Sequence, residues 1–276
     1  MTRSVPGPVA FARFAYPPNA LGYCGPADSA VLLESAAQGT DLRAVSDLAT
    51  RFEGAWPYLQ LIASCSDIED PLDPKVVDAY WIGSSLLDRV SPAALIAHLD
   101  AHFQRYGGRE FAPVSEAVLA GGAAHHNFHV FAVYPWLGLL RAGTQRAPLT
   151  VLDRCRIRWA RVLSVDGDTV TVRDRALAFE DQLLVDGPER VEQVHRSVDG
   201  VGFVEELEPG DTVALHWDWV CERLSPGAVR RLRAWTGRMR AAVNAPFAPT
   251  VPASRHEPLG AGSGHHRRRL GTPLPS

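Results

Sequence analysis

The sequence predicts an α+β protein: a mainly helical first part, then a small β-barrel of OB type that carries a C-terminal helix. Three observations lead there. In the first half, apolar residues recur at helical spacing. Beyond residue 150, β-branched residues alternate in short runs separated by Asp-Gly turns. SPGAVRRLRAWTGRMR then places Val229, Leu232 and Trp235 on one face and arginines on the other. The expected organisation is an N-terminal arm (1–14), a helical domain (15–148), a barrel with its helix (150–240) and a disordered tail (241–276) rich in Pro, Gly and Ala.

The elements follow in order. Ala27–Gln38 and Asp41–Phe52 read as helices, the second with Asp41 as N-cap and Leu42, Val45, Leu48 and Ala49 on one face. Tyr58–Cys65 is a short apolar element. Pro74–Trp81 and Pro92–Tyr106 each open on a proline at an early helical position, and Ser91 caps the second. Tyr106-Gly107-Gly108 ends that helix. After Gly121-Gly122, the run HHNFHVFAVYPW reads as a helix from Asn127 to Tyr134, with a buried strand as the alternative. RIRWARVLSV, DTVTVRD, LAFEDQLLVDG, RVEQVHRSV and GDTVALHWDWV read as strands, with turns at Asp166-Gly167-Asp168 and Asp186-Gly187-Pro188. Ser225-Pro226 opens the last helix.

Composition narrows the function classes. The 276 residues are 46% hydrophobic and 21% charged, with a net charge of −3, which excludes a wholly disordered chain and argues against a nucleic-acid binder. Of 28 basic residues only Lys75 is lysine, a bias that fits a GC-rich coding sequence. The longest apolar stretch, Phe128–Leu140, is broken by Pro135 and Gly138 and falls short of the roughly 20 residues a membrane span needs. MTRSVPGPVAFARF lacks the apolar run of a signal peptide. The expectation is a cytoplasmic protein with no membrane partner. Its cysteines, Cys24, Cys65, Cys155 and Cys221, are then reduced thiols, and none forms a CxxC pair.

Chemistry is carried by a few thiols and imidazoles. Cys155 is read as opening the first strand, and His216 as closing GDTVALH in a later one. Thiolate and imidazole together suit iron, zinc or copper. Arg154, Arg156 and Arg158 are expected to favour the Cys155 thiolate. Cys24, in GYCGP, precedes a helix whose N-terminal N–H groups would lower its pKa. His125 and His129 lie i,i+4 on a helix and form a weaker candidate metal pair; His126 and His129 lie i,i+3. HExxH is absent. Alternatives stay open: a cysteine-dependent hydrolase or acyltransferase with Cys24 as nucleophile and His126 or His129 as base, or a non-catalytic scaffold in which these groups are merely packed.

Residues 153–237 resemble the HypC/HupF family of [NiFe]-hydrogenase maturation chaperones. The resemblance rests on Cys155, on Val162 seven residues later, on Gly210-Asp211-Thr212-Val213-Ala214-Leu215-His216, and on the C-terminal helix. The family's Pro-Gly is replaced here by Trp159-Ala160, the Gly after its His motif by Asp218, and its N-terminal cysteine is internal. The resemblance implies a HypC-like barrel and no catalysis in isolation. Its partners would be a HypD-like scaffold or a hydrogenase large-subunit precursor. It implies no permanent cofactor but transient iron, as an Fe(CN)2CO unit held by Cys155 with His216 as second ligand or hydrogen-bond partner. The whole chain also resembles an uncharacterised actinobacterial family bearing the GYCGP and HHNFHVFAVYPW segments.

Overall fold

Helices fill the first part of the chain and strands follow, giving the expected α+β class. The structure, a computed structural model, describes residues 5–107, 112–144 and 147–248. The tail expected from 241 lies outside the described residues from 249 onward.

The stretch expected as an N-terminal arm is largely α1 (Gly7–Ala20). Val9, Phe11, Ala12, Phe14, Ala15 and Tyr16 are all buried, because α1 runs between α2 (Ser29–Gln38), α3 (Leu42–Ala49), α5 (Pro74–Trp81) and the strands. A helix buried on every side has no polar stripe to give it away in sequence. Gly7 is required at its start, since a Cβ there would lie 1.6 Å from the Leu72 carbonyl oxygen. Pro17 and Pro18 sit in its last turn. Neither has an N–H, so the carbonyls of Arg13 and Phe14 lose their helical donors. The second of these matters below.

The locally encoded helices form as read. The Asp41 carboxylate accepts from Ala44 N–H at the start of α3 (3.3 Å), and Ser91 Oγ accepts from Ala94 N–H at the start of α6 (Pro92–Gly107; 3.2 Å). Between them lie α4 (Trp56–Cys65) and α5, the latter capped by Asp73. After α6 come α7 (Ala112–Leu119), α8 (His126–Phe128), α9 (Trp136–Arg141) and α10 (Ala147–Cys155). The histidine run is helical, but α8 passes into a π-helical turn, His129–Val133, closed by Tyr134 N–H donating to His129 O at 3.1 Å. Such a turn inserts an extra residue and turns the side chains around it.

The strands are β1 (Arg158–Asp166), β2 (Thr169–Glu180), β3 (Leu183–His195), β4 (Ser197–Val198), β5 (Val201–Gly202), β6 (Thr212–His216) and β7 (Trp219–Arg223), and α11 (Pro226–Asn244) follows. Five of them are bonded in the ring order β1-β2-β3-β7-β6, while β4 and β5 pair separately. The ring is antiparallel except at its closure, where β3 meets β7 in a single parallel bridge, His195 to Trp219. Two readings need correction. The turn placed at Asp186-Gly187-Pro188 is continuous β3, and the chain reverses at Asp181-Gln182, both with positive φ (48° and 69°). GDTVALHWDWV is a hairpin, with Trp217 at φ 53° between β6 and β7. Left-handed positions normally favour Asn or Gly, so neither turn is spelled out by its residues.

The change of texture near residue 150 does not separate two cores. Phe11, Tyr58, Trp81 and Phe128 belong to one apolar cluster with Leu177, Phe203, Trp217 and Trp219 from the second half. A smaller cluster, including Val162, Val170, Val172, Val213 and Leu215, fills the ring. Asn127 welds the halves: its Oδ1 accepts from Ile157 N–H (2.7 Å), and its amide donates to Ile157 O (3.0 Å) and Thr236 Oγ1 (2.9 Å). α11, capped by Ser225, continues to Asn244, four residues past the expected start of the tail. Among the described residues, no helix is long and apolar enough to cross a membrane.

Candidate functional site

Cys155 closes α10 rather than opening β1, which starts at Arg158. That correction places the thiol at a helix end, facing the last residue of β6. Two backbone-directed bonds hold the junction. Trp217 N–H donates to Arg154 O at 2.7 Å, and the Arg158 guanidinium donates to Trp217 O at 2.7 Å. The residues beside Arg154 and Trp217 are Cys155 and His216, and they meet: Cys155 Sγ lies 3.9 Å from His216 Nε2.

Each imidazole is set by its partners. His216 Nδ1 donates to Phe14 O at 2.6 Å, the carbonyl that Pro18 leaves without a helical donor. The proton is thereby fixed on Nδ1, and the Nε2 lone pair faces the sulfur. His126, from α8, donates through Nε2 to Cys155 O at 2.9 Å. One ligand atom each from His126, Cys155 and His216 lie within 4.8 Å of one another, and all three residues are buried. The Tyr58 hydroxyl donates to His129 Nδ1 at 3.0 Å, leaving the single N–H proton of that neutral ring on Nε2.

Cys24, His126, His129, Cys155 and His216 line one cavity of about 110 Å³. Residues read as two competing sites thus share one space, walled by Tyr80, Trp81, Phe52 and Trp217. His125 is not among its lining residues. It is the N-cap of α8, accepting from Asn127 N–H at 3.0 Å, with its ring stacked on Trp235. The i,i+4 chelate of His125 and His129 is not built, because the chain enters α8 only at His126 and turns through the π-helix at His129.

The electrostatics also correct the sequence reading. Arg154 pairs with Glu192 and Asp218, Arg156 with Asp153, and Arg158 with Asp174 and Glu192. Their charge is spent on these carboxylates, and burial pushes the Cys155 thiol well above its usual range, with the Trp217 indole opposing. Cys24 sits four residues ahead of the Asp28 N-cap of α2, and burial pushes it up to about 12. Among the described residues, no hydrogen bond joins its sulfur to His126 or His129, whose ring nitrogens face Tyr58, Tyr80 and the Cys155 carbonyl.

Burial lowers His125 and His129 to about 3 and His126 to about 4, and holds His216 well below its ordinary value. Unfolded, each titrates near 6.5, so the unfolded chain takes up protons that the folded one refuses. Stability is therefore full above pH ~6.5 and falls as pH drops toward 4, by up to about 1.4 kcal/mol per pH unit for each histidine. Urea melts at pH 7.5, 6 and 5 should show a steep fall; equal midpoints would contradict the buried neutral rings.

Tyr23, 57% exposed, stacks on Trp217 with centroids 4.2 Å apart and lies between the inner cavity and an outer hollow of about 740 Å³. Gly25 at φ 78° lets this loop close, since a Cβ would strike the Phe52 ring at 2.4 Å. Tyr23→Ala should raise the rate at which a thiol reagent modifies Cys24 and Cys155 several-fold, read by intact mass, with little change in melting temperature. An unchanged rate would mean that the loop does not cover the cavity.

Sequence reasoning paired Cys155 with His216 but assigned His126 elsewhere, and gave Tyr23 and Trp217 no part. Only the proline pair offered a signal, by marking a carbonyl that needs another donor.

A family of unknown function (DUF6390) matches residues 3–250, and the chain belongs to that family. The match does not itself join it to the HypC/HupF proteins. No curated protein and no solved structure matches the chain.

Proposed function

We propose that this member of the DUF6390 family is an accessory protein of [NiFe]-hydrogenase maturation. It docks to a HypD-like scaffold or a hydrogenase large-subunit precursor and holds the Fe(CN)2CO unit, as cargo, through Cys155 with His216 as second ligand. The observation that carries this reading is the meeting of Cys155 Sγ and His216 Nε2 at 3.9 Å in a shared cavity. These are the two ligand candidates among the residues on which the resemblance to the HypC/HupF chaperones rests, and they are brought together from 61 positions apart.

The chemistry follows from the surroundings. A metal displaces the thiol proton, so Cys155 becomes a ligand despite its raised pKa, and uptake weakens as pH falls. His216 keeps its lone pair toward the sulfur because Phe14 O holds the opposite proton. A site with one thiolate and open neighbouring positions can give up its cargo to a receiver with more thiolates. Four free cysteines fit a reducing, cytoplasmic setting for that exchange.

Affinity purification of the full chain from hydrogen-oxidising cells tests the reading. The expected result is co-purification of a HypD-like scaffold or large-subunit precursor, with iron in the eluate. A deletion strain with normal hydrogenase maturation and no paralogue would overturn it.

A further inference from the structure

We infer that the helical half completes the centre: His126 joins Cys155 and His216 as third donor to a divalent, borderline-soft metal, and the coordination positions these three leave open, one on a tetrahedral ion and three on a six-coordinate iron, are served by the buried N–H groups of Trp81, Trp217 and His129, which hold small acceptor ligands on that metal. The inference deepens the function proposed above and rests on its reading of Cys155 and His216 as ligands.

Three observations carry it. The first is the donor set. One ligand atom each from His126, Cys155 and His216 lie within 4.8 Å of one another, and the 3.9 Å from sulfur to nitrogen is close to the roughly 3.6 Å that a tetrahedral ion with ordinary bond lengths would impose. His126 keeps its Nε2 proton on Cys155 O, so its donor would be Nδ1, whose neighbour at 3.3 Å, the Tyr80 hydroxyl, donates to Gly54 O. One thiolate and two imidazoles suit Fe(II), Co(II) or Zn(II), and three protein donors leave one position on a tetrahedral ion and three on a six-coordinate iron. They come from three places in the chain, so the centre exists only when α8, α10 and β6 are packed together.

The second is a set of orphaned donors. Trp81 Nε1, Trp217 Nε1 and His129 Nε2 are buried with no hydrogen-bond partner among the described residues. A buried N–H left unpaired costs about 1–3 kcal/mol, and native proteins hold few of them. All three residues line the cavity that contains the metal donors. On His129 the proton sits on Nε2 because Tyr58 donates to Nδ1.

The third is the space. About 110 Å³ has room for several water-sized groups, and most of its wall is apolar. Small ligands with an accepting terminal atom, as on a cyanide-bearing iron unit, match such a wall with a few N–H groups in it. A bulky organic substrate does not fit.

Cobalt(II) and azide test this on the full chain, reduced, metal-free and anaerobic. One equivalent of cobalt should bind with a sulfur-to-cobalt charge-transfer band that Cys155→Ala removes. His126→Ala should weaken cobalt binding at least tenfold. Azide should shift the visible bands of the loaded protein, and Trp81→Phe with Trp217→Phe should lower azide affinity several-fold while cobalt affinity stays. Should His126→Ala not fold, the wild type suffices, because two histidines must give paramagnetically shifted exchangeable N–H signals. Absence of the sulfur band in folded protein, one or no histidine signal, or cobalt affinity indifferent to His126→Ala would overturn the three-donor site. Azide affinity unchanged in the double variant would overturn the role of the N–H groups. Hydrogenase plays no part in the titration. A null deletion strain with a positive titration removes the maturation role alone, and the reverse pair of results removes this centre alone.

Discussion

Arg158→Ala is expected to destabilise the protein by about 3–5 kcal/mol, the effect of taking one partner out of a buried ion pair. Arg158 is 1% exposed, and its guanidinium donates to Asp174, Glu192 and the Trp217 carbonyl. Asp174 is completely covered and keeps only Arg190 once Arg158 is gone. The loss is electrostatic first: a carboxylate remains in a place without water. It is also positional, because the bond to Trp217 O anchors the β6–β7 turn that presents His216. In a chain of this size each kcal/mol shifts Tm by about 2–4 °C. A thermal melt should therefore move down by roughly 6–20 °C. Unchanged melting would show that the network around Arg158 is not a source of stability. Loss of cobalt binding at temperatures where the variant is still folded would show the positional part separately.

Cys155→Ala carries the largest functional effect. In a deletion strain of a hydrogen-oxidising cell, wild type should restore hydrogenase activity and Cys155→Ala should leave it at the deletion background. The fold should survive. The substitution removes one sulfur from the end of α10 and leaves both backbone anchors, Trp217 N–H to Arg154 O and His126 Nε2 to Cys155 O, in place. Restoration of full activity by Cys155→Ala would leave docking as the only role for this half of the chain.

What was legible in the sequence was what is decided locally. Asp41, Ser91 and Ser225 cap the helices they precede, and Pro74 and Pro92 open theirs, because a cap is a contact over two or three residues. Gly167-Asp168 turns the β1–β2 hairpin as its residues suggest. α1 was not legible: its apolar faces contact helices and strands alike, and two prolines in its last turn argue against a helix. Nor was the turn at Asp181-Gln182, since Asp186-Gly187-Pro188 is the stronger local signal and is overridden by pairing with β2, where a bulge lies between Arg175 and Leu177. In the site, the resemblance carried by the segments around Cys155 and His216 singled out two residues that do meet. The sign of the Cys155 environment could not be read the same way. Three arginines nearby in sequence look cationic until Asp153, Asp174, Glu192 and Asp218 fold onto them. The placing of His216 depends on Phe14, 202 positions away, through a carbonyl freed by Pro18. No local pattern carries that information.

On the proposed function, one buried thiol–imidazole centre, built by both halves of the chain, carries an iron unit for hydrogenase maturation. The most direct measurement is the infrared spectrum of the full chain isolated anaerobically from hydrogen-oxidising cells. Stretching bands of iron-bound cyanide and carbonyl are predicted in the wild type, absent from Cys155→Ala and reduced in His126→Ala. Protein recovered with no such bands from cells that are actively maturing hydrogenase, or with bands that persist in Cys155→Ala, would contradict it.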